Sequence, residues 1–309
     1  MANAGNNILE LGDVKILDVM KKHLEILLEL GKVRITIFVS FSTLAGYILF
    51  SESLSWNMLF PTFGVFLLAC GSSAFNHFQE RKTDALMERT KNRPLPSGKI
   101  SETYAFVVAL FFILIGSAVV YLSSNVTALA IGIITVIWYN VVYTPLKKKY
   151  ALAVVPGSLI GALPPVIGYS AAGGSPFDLQ IVGLALFFFI WQIPHFWLLL
   201  LIFGNDYDKA GFPTLTKIFN IHQLSRITFV WIIALTTSSL FILSFDVSST
   251  LISFIAIVAL GIWLVLSTIK ILNHYLEKVV FKKAFININI YVLAVVLIIS
   301  FEKLFLKVI

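Results

Sequence analysis

Cysteine and charge are both scarce in this 309-residue chain. Cys70 is the only cysteine, so a disulfide framework within the chain and a metal site built from several cysteines are both excluded. Charged residues make up 13% of the sequence and hydrophobic residues 58%, with a mean hydropathy of +0.91. These values exclude an ordinary soluble globular domain and indicate a polytopic membrane protein that has the lipid bilayer as its surroundings.

Basic residues outnumber acidic ones, 23 to 16, and the isoelectric point is near 9.4. A nucleic-acid-binding protein often interleaves aromatic residues with its basic clusters, whereas the aromatic residues here lie in the apolar segments. We therefore expect no nucleic-acid partner and attribute the excess of positive charge to membrane topology.

Residues 1–32 lack the long apolar core of a signal peptide. Apolar residues instead recur there at helical spacing, which predicts an amphipathic helix at the membrane interface; they are Leu17, Met20, Leu24, Leu27 and Leu28. We expect residues 1–32 to form a cytoplasmic segment and residues 33–309 to form one membrane domain.

Nine apolar segments follow, each long enough as a helix to cross about 30 Å of hydrocarbon. Their approximate limits are 33–50, 56–79, 101–121, 126–143, 151–172, 178–202, 225–244, 249–272 and 284–307. Connections that contain Lys or Arg alternate along the chain with connections that contain none. Of the 23 Lys and Arg residues, 21 lie on the same side of the membrane as the N-terminus. This alternation predicts nine transmembrane helices with the N-terminus in the cytoplasm.

A dense charged cluster follows the second apolar segment. Asn76, Glu80 and Asp84 are spaced four apart, so on a helix they point from nearly the same face. Two carboxylates so placed weaken a helix by roughly a few tenths of a kcal/mol, a cost that a Mg²⁺ ion between the oxygens would offset. We expect Asp84 to reach the aqueous end of this face.

Six cationic residues accompany these carboxylates: Arg81, Lys82, Arg89, Lys91, Arg93 and Lys99. Carboxylates that hold Mg²⁺ beside Arg and Lys that fit phosphate oxygens predict a diphosphate site. The alternative interpretation is a solvated cytoplasmic loop whose positive charge reflects topology alone.

A second polar connection begins within the membrane at Trp191-Gln192-x-Pro194-His195 and ends with the run from Asn205 to Pro213, which contains Asp206 and Asp208. Polar groups at membrane depth are costly, so we expect Gln192 and His195 to face a protein cavity, with a kink at Pro194. A simple hydrogen bond between helices is the alternative for His195, and an ordinary loop end is the alternative for Asp206 and Asp208.

Tyr143 and Lys147 form a third, weaker signal, because Tyr and Lys are common at the cytoplasmic interface.

Together these motifs resemble the UbiA superfamily of membrane prenyltransferases and, within it, the branch that farnesylates protoheme IX. The similarity runs over about residues 33–300. The quoted motifs are Asn76-x-x-x-Glu80-x-x-x-Asp84, Arg89-Thr90-x-x-Arg93-Pro94-Leu95, Tyr143-Thr144 with Lys147, Pro164-Pro165-x-x-Gly168-Tyr169, Trp191-Gln192-x-Pro194-His195-Phe196 and Asp206-Tyr207-x-x-Ala210-Gly211-x-Pro213. The resemblance implies an all-α bundle of nine transmembrane helices around a central cavity.

The resemblance also implies roles for individual residues. Asn76, Glu80 and Asp84, with Asp206 across the cavity, would bind Mg²⁺ and through it the diphosphate of farnesyl diphosphate. Four further residues would contact the diphosphate oxygens, namely Arg89, Arg93, Tyr143 and Lys147. His195 would lie near heme b, beside Trp191, and His77 is a competing candidate for that role.

Two departures from the family pattern stand out. Glu80 occupies a position where many members have Asp, and Gly204-Asn205 precede Asp206 where relatives commonly carry Arg or Lys. Asp206 is also followed four residues later by Ala210 instead of a carboxylate.

The implied activity is transfer of farnesyl to a heme b vinyl group with water addition, at the cytoplasmic side of a bacterial inner membrane. A downstream heme A synthase or terminal oxidase assembly would then be a partner. Three other readings stay open: a UbiA-type enzyme acting on another acceptor such as a quinone precursor, a heme-binding assembly protein, and a transporter.

Overall fold

The computed structural model describes residues 18–245, 250–275 and 277–306, and throughout these ranges the ordered elements are helices. A helix, α1, covers 18–30 and precedes nine long helices. The nine are α2 Val33–Ser51, α3 Leu59–Asp84, α4 Glu102–Ser123, α5 Val126–Ile137, α6 Leu159–Ala171, α7 Leu179–Lys209, α8 Ile221–Ser244, α9 Leu251–Thr268 and α10 Lys278–Phe305.

Short turns extend several of these helices: Trp56–Met58 before α3, Trp138–Tyr143 and Thr144–Leu146 after α5, Val154–Gly157 before α6, Leu215–Lys217 before α8, and Ile269–Leu272 after α9. With these extensions, nine spans in the described ranges are long and apolar enough to cross a membrane. The predicted number of transmembrane helices is therefore confirmed, and the chain is a multi-pass membrane protein.

The nine helices close into a ring. Each helix from α2 to α10 packs against the next one along the chain, and α10 packs back against α2. Further contacts cross the ring between α2 and α6 and between α7 and α10. The polar ends of α3 and α5 thus come near the start of α2, although these segments are far apart in sequence.

Two glycines allow the crossing of α2 and α6 to be very close. A Cβ at Gly46 would overlap the backbone carbonyl of Pro165, and a Cβ at Gly168 would overlap the carbonyl of Thr43. Small residues at helix crossings are the usual means by which membrane helices approach each other, because apolar side chains gain little by leaving lipid. The Pro164-Pro165-x-x-Gly168 motif therefore serves packing at this crossing.

We expect Gly168→Ala to reduce the free energy of unfolding by about 1–3 kcal/mol, because the two backbones must separate to admit the methyl group. Gly261→Ala in α9 is the matched control, since its added Cβ would meet only ordinary contacts at 3.5 Å or more. The melting temperatures of both variants are measured by heating the protein in detergent and monitoring the loss of folded protein by size-exclusion chromatography. Equal melting temperatures for the two variants would contradict the close packing inferred here.

Helix α3 continues to Asp84, as the predicted spacing of Asn76, Glu80 and Asp84 requires. Other limits differ from the sequence expectation: α7 continues to Lys209, and α10 already begins at Lys278. Asp206 and Asp208 therefore lie in the last turn of α7, directly before the connection to α8. The non-helical backbone within α7 is at Phe203, and the kink expected at Pro194 stays a prediction.

The N-terminal prediction is tested in part, because residues 1–17 and hence Leu17 lie outside the described residues. Residues 18–30 are helical as predicted. Three of their apolar side chains are exposed, Met20 by 63%, Leu24 by 56% and Leu28 by 44%. An apolar stripe left uncovered by protein fits a helix that lies in the membrane interface.

Candidate active site

The C-terminal end of α3 carries the predicted oxygen cluster. Asn76, Glu80 and Asp84 are all on this helix and are buried, with exposures of 1%, 5% and 1%. The helical spacing predicted from the sequence is therefore correct. The expectation that Asp84 reaches the aqueous end is wrong, because the loop after α3 folds back over it: Thr90 donates a hydrogen bond to the Asp84 carbonyl at 2.8 Å.

Each carboxylate of this cluster has a cation beside it. Lys147 Nζ lies 2.8 Å from Glu80 Oε1 and 2.9 Å from Oε2, and Arg93 Nη1 lies 2.7 Å from Asp84 Oδ2. Burial lowers the pKa of Lys147, but the Glu80 carboxylate and the neighbouring Tyr143 and Tyr139 together hold that pKa above its usual value. Lys147 consequently stays charged across the physiological pH range.

Lys32 is a third cation at the cluster, and the sequence analysis did not select it. Its Nζ donates a hydrogen bond to Asn76 Oδ1 at 3.1 Å. Lys32 adopts a left-handed backbone conformation with φ of 47°, which is uncommon for a residue with a side chain. Burial, and to a smaller extent the Arg93 guanidinium, lowers the pKa of Lys32 to about 7.

The charges of these groups do not balance. Two carboxylates, Glu80 and Asp84, face three basic groups, Lys32, Arg93 and Lys147. The excess is carried by Lys32, which is only partly protonated near neutral pH because its pKa is about 7, and a bound anion would complete its protonation. The electrostatics therefore match a diphosphate better than they match a bare metal cation.

The segment after α5 positions Lys147 and Tyr143. The backbone widens to a π-helix over Trp138–Tyr143, a feature common at functional sites. Thr144 Oγ1 donates to the Tyr139 carbonyl at 2.9 Å and accepts from Asn76 Nδ2 at 3.2 Å, which ties this segment to α3. Lys147 Nζ then lies 5.4 Å from the centre of the Tyr143 ring.

Arg89 occupies a different place from Arg93. Its backbone N–H donates to Asp206 Oδ2 at 3.4 Å, and its guanidinium donates to the Tyr207 hydroxyl at 3.0 Å. The guanidinium also lies 5.9 Å from the centre of the Phe203 ring, next to the break in α7. Arg89 thus links the loop after α3 to the end of α7.

Asp206 does not join the carboxylates of α3. In the described part of the chain, no three His, Cys, Asp or Glu side chains lie close enough together to share a metal ion. Asp208 accepts from Thr214 at 2.9 Å and lies 3.5 Å from Lys217, so it stabilises the turn that follows α7. The four-ligand set Asn76, Glu80, Asp84 and Asp206 therefore stays a prediction.

The donor set on α3 fits Mg²⁺. Asn76, Glu80 and Asp84 present hard oxygen atoms from one helical face, and Mg²⁺ is commonly held by one or two carboxylates together with water and substrate phosphates. Lys147 and Arg93 already neutralise the two carboxylates. The fit is therefore to a metal that arrives with phosphate oxygens.

His195 lies on α7, on the N-terminal side of Phe203 and Asp206. Its Nδ1 is 3.1 Å from Asn289 Oδ1 on α10. The ring packs edge-on against Trp191 at 4.8 Å and also contacts Phe285 at 4.7 Å between centres. Gln192, predicted to face the same cavity, packs against Gly161 of α6, and its Oε1 is buried without a hydrogen-bond partner among the described residues.

His77 is placed differently. It is 1% exposed, and neither of its ring nitrogens has a hydrogen-bond partner among the described residues. A planar ligand as large as heme could reach this imidazole only after the surrounding helices separate. His195, which is partly exposed, is the more accessible of the two histidines.

Comparison with known proteins identifies the family and supports the fold. Residues 39–289 match the model of the UbiA prenyltransferase family. The protoheme IX farnesyltransferase of Geobacter sulfurreducens is 41% identical over 189 residues, which are 61% of this chain and 70% of that protein. The protoheme IX farnesyltransferase of Flavobacterium psychrophilum is 34% identical over 257 residues, which are 81% of this chain and 85% of that protein.

Solved structures support the fold. A digeranylgeranylglyceryl phosphate synthase superposes with a TM-score of 0.73 at 19% identity, over 91% of this chain and 99% of that one. A UbiA homologue from Archaeoglobus fulgidus bound to GPP and Mg²⁺ superposes with a TM-score of 0.65 at 15% identity, over 89% of this chain and 99% of that one. With the family match over most of the sequence, these findings show that the chain belongs to the UbiA prenyltransferase family and is a transferase similar to the protoheme IX farnesyltransferases.

Proposed function

We propose that this enzyme transfers the farnesyl group of farnesyl diphosphate to a vinyl group of heme b. The bond between farnesyl C1 and the diphosphate oxygen breaks, and C1 forms a bond with the terminal vinyl carbon. This leaves a positive charge on the vinyl carbon that is attached to the pyrrole ring. The oxygen of a water molecule forms a bond with that carbon, and the water releases one proton. The products are the hydroxyethylfarnesyl heme, heme O, and diphosphate.

The observation that carries this proposal is the charge imbalance at the end of α3. Ionisation of an allylic diphosphate is accelerated by groups that stabilise the charge developing on the leaving group, and fixed cations in a site shielded from water do so most effectively. Arg93 and Lys147 are such groups, and Lys32 becomes one when a bound anion completes its protonation; each is held by a defined contact to an α3 side chain. Bound Mg²⁺ would supply further stabilisation of the same oxygens through Asn76, Glu80 and Asp84.

Arg89, Tyr143 and Asp206 complete the proposed diphosphate site. Arg89 and Asp206 are joined directly, so a ligand that moves one of them also moves the other. Tyr143 is 7% exposed and lies beside Lys147, so its ring shields the ammonium from water. Exclusion of water on this side protects the allylic cation from hydrolysis before it reaches the acceptor.

For the acceptor we propose that His195 binds heme, with Trp191 beside it. Neutral imidazole is a common ligand of heme iron, and the aromatic rings around His195 suit packing against a porphyrin. His77 is the weaker candidate because it is enclosed. A heme acceptor is also what the relatives' name, protoheme IX farnesyltransferase, suggests.

The charge distribution supports a cytoplasmic site. Most Lys and Arg residues lie in the connections on the N-terminal side, and the same side carries Lys32, Arg93 and Lys147. By the positive-inside rule, the N-terminus and the diphosphate site face the cytoplasm of a bacterial inner membrane. Heme O would then be available there to a heme A synthase or to terminal oxidase assembly.

The direct test is an acceptor assay with purified protein in lipid nanodiscs, farnesyl diphosphate and Mg²⁺. Heme b and an aromatic quinone precursor are offered in separate reactions and together, and products are identified by mass spectrometry. The proposal expects a farnesylated, hydrated heme and no prenylated quinone precursor. Prenylation of the quinone precursor alone would assign the enzyme to another acceptor, and heme binding without consumption of farnesyl diphosphate would contradict transfer to heme.

We expect Arg93→Lys to raise the KM for farnesyl diphosphate by about tenfold and to leave the KM for heme nearly unchanged. Lysine keeps the charge but loses the planar fork that fits both Asp84 and phosphate oxygens, and a charged hydrogen bond contributes about 1.5–3 kcal/mol. Arg81→Lys is the control, since Arg81 pairs with Glu102 at 2.6 Å, away from the oxygen cluster. Equal changes in both KM values would remove Arg93 from the diphosphate site.

A further inference from the structure

The contact between His195 on α7 and Asn289 on α10 fixes the chemistry of the imidazole. His195 Nδ1 and Asn289 Oδ1 are 3.1 Å apart. The other end of the Asn289 amide, Nδ2, donates a hydrogen bond to the Phe285 carbonyl one turn earlier on α10, at 2.5 Å. This second bond fixes the orientation of the amide, because the Phe285 carbonyl oxygen can accept a hydrogen bond only from the NH₂ end of Asn289. The oxygen end of the amide therefore faces the His195 ring.

The orientation of the amide then sets the tautomer of His195. An amide oxygen can only accept, so Nδ1 must carry the ring proton and donate it to Asn289 Oδ1. In the neutral imidazole the lone pair is therefore on Nε2. Nε2 has no hydrogen-bond partner among the described residues, and it is not fully enclosed, unlike the two nitrogens of His77.

The ring is also held in position. Trp191 packs edge-on at 4.8 Å, Phe196 edge-on at 5.5 Å and Phe285 at 4.7 Å from its centre. Neither Phe side chain can take the Nδ1 proton, and the buried Trp191 Nε1 can only donate. An imidazole fixed by one acceptor and three rings, with its lone pair free at membrane depth, is prepared to bind an electrophile.

We propose that Asn289 is a positioning residue that holds His195 with its Nε2 lone pair directed to the heme iron. This inference rests on the proposed function, because it assigns a specific task to the acceptor side of that site. Hydrogen-bond partners of metal-bound histidines commonly fix the tautomer and raise the basicity of the ligand, and their loss costs about 10–100-fold in metal affinity.

The test uses Asn289→Leu, Asn289→Asp and the control Asn287→Leu in the full-length protein. Asn287 is two residues earlier on α10 and donates to Ser267 Oγ at 3.0 Å, so its replacement removes a comparable hydrogen bond elsewhere on the same helix. Heme affinity is measured by titration, and the bond between ferrous iron and the histidine is measured by its stretching frequency in resonance Raman spectra.

For Asn289→Leu we expect a heme dissociation constant about 10–100-fold higher and a weakened or absent iron–histidine band, with an unchanged KM for farnesyl diphosphate. Asn289→Asp should retain the band and move it to higher frequency, because a carboxylate is a stronger acceptor from Nδ1. Asn287→Leu should match the wild type in both measurements.

An unchanged band in Asn289→Asp, or wild-type heme affinity in Asn289→Leu, would overturn the inference. The aspartate variant keeps the inference testable if the leucine variant does not fold. If the wild type makes farnesylated heme while the Asn289 variants keep a wild-type band, only the role of Asn289 is lost. If the wild type makes no farnesylated heme, the proposed function fails and this inference fails with it.

Discussion

Asp84→Asn should lower turnover by at least about a hundredfold while the protein still folds and binds heme. The amide keeps the shape of the side chain but removes the charge that pairs with Arg93 at 2.7 Å and that we assign to Mg²⁺. Loss of one fixed electrostatic contact to a transition state costs about 10²–10³ in kcat in well-studied enzymes, and a charged metal ligand should cost no less. Alanine is the harsher change, because Asp84 is buried and its loss would leave Arg93 without its acceptor.

Two further variants make the Asp84 result specific. Glu88→Gln removes an exposed carboxylate from the same loop, one that pairs with Lys91 at 2.6 Å, and it should leave turnover unchanged. Glu80→Asp keeps the charge and shortens the reach toward Lys147, so it should retain measurable activity. Farnesyl transfer is assayed over a range of Mg²⁺ concentrations. Near-normal activity of Asp84→Asn at limiting Mg²⁺ would show that the assignment of the metal is wrong.

His195→Ala should abolish the absorption bands of histidine-bound heme and weaken heme binding by at least about tenfold. The affinity for farnesyl diphosphate should be retained, because His195 lies on the other side of Phe203 from Asp206. The physical reason is the loss of the imidazole that, among the described residues, presents a free Nε2 near the rings of Trp191 and Phe285. Heme titration followed by absorption spectroscopy measures the change.

His222→Ala is a suitable control for the His195 variant. His222 lies at the start of α8 beside Tyr275, at 4.7 Å between ring centres, and the proposed function gives it no part in heme binding. If His195→Ala and His222→Ala both keep the wild-type heme spectrum and affinity, His195 is a packing residue and the assignment of the heme site is wrong.

The transmembrane helices and the polar face of α3 could be predicted from the sequence, because both depend on the local pattern of residues. Runs of about twenty apolar residues identify membrane helices, and four-residue spacing places Asn76, Glu80 and Asp84 on one face without knowledge of the fold. Both predictions are confirmed by the helix limits.

The pairing of the charges could not be read in the same way. Lys32 meets Asn76 across 44 positions of the sequence, and Lys147 meets Glu80 across 67. A lysine that precedes a first transmembrane helix is expected from topology alone, so nothing local distinguished Lys32 from its basic neighbours. Its left-handed backbone conformation, which turns the chain between α1 and α2, became evident only in the structure.

The extension of α7 to Lys209 was missed for a related reason. The stretch Asn205-Asp206-Tyr207-Asp208 has the composition of a turn, because Asn and Asp compete for backbone hydrogen bonds. In the structure tertiary contacts prevail over this local preference: Arg89 holds Asp206 and Tyr207, and Thr214 holds Asp208. The tautomer of His195 depends likewise on a residue 94 positions away.

The measurement that tests the central claim most directly is the binding of Mn²⁺, as a paramagnetic substitute for Mg²⁺, followed by electron paramagnetic resonance. Because three basic groups surround the two carboxylates of α3, the account predicts weak Mn²⁺ binding by the protein alone. Farnesyl thiodiphosphate, an analogue that reacts slowly, should produce tight Mn²⁺ binding with hyperfine coupling to phosphorus. Asp84→Asn should abolish that tight binding. Tight Mn²⁺ binding that needs no diphosphate, or that persists unchanged in Asp84→Asn, would contradict the account.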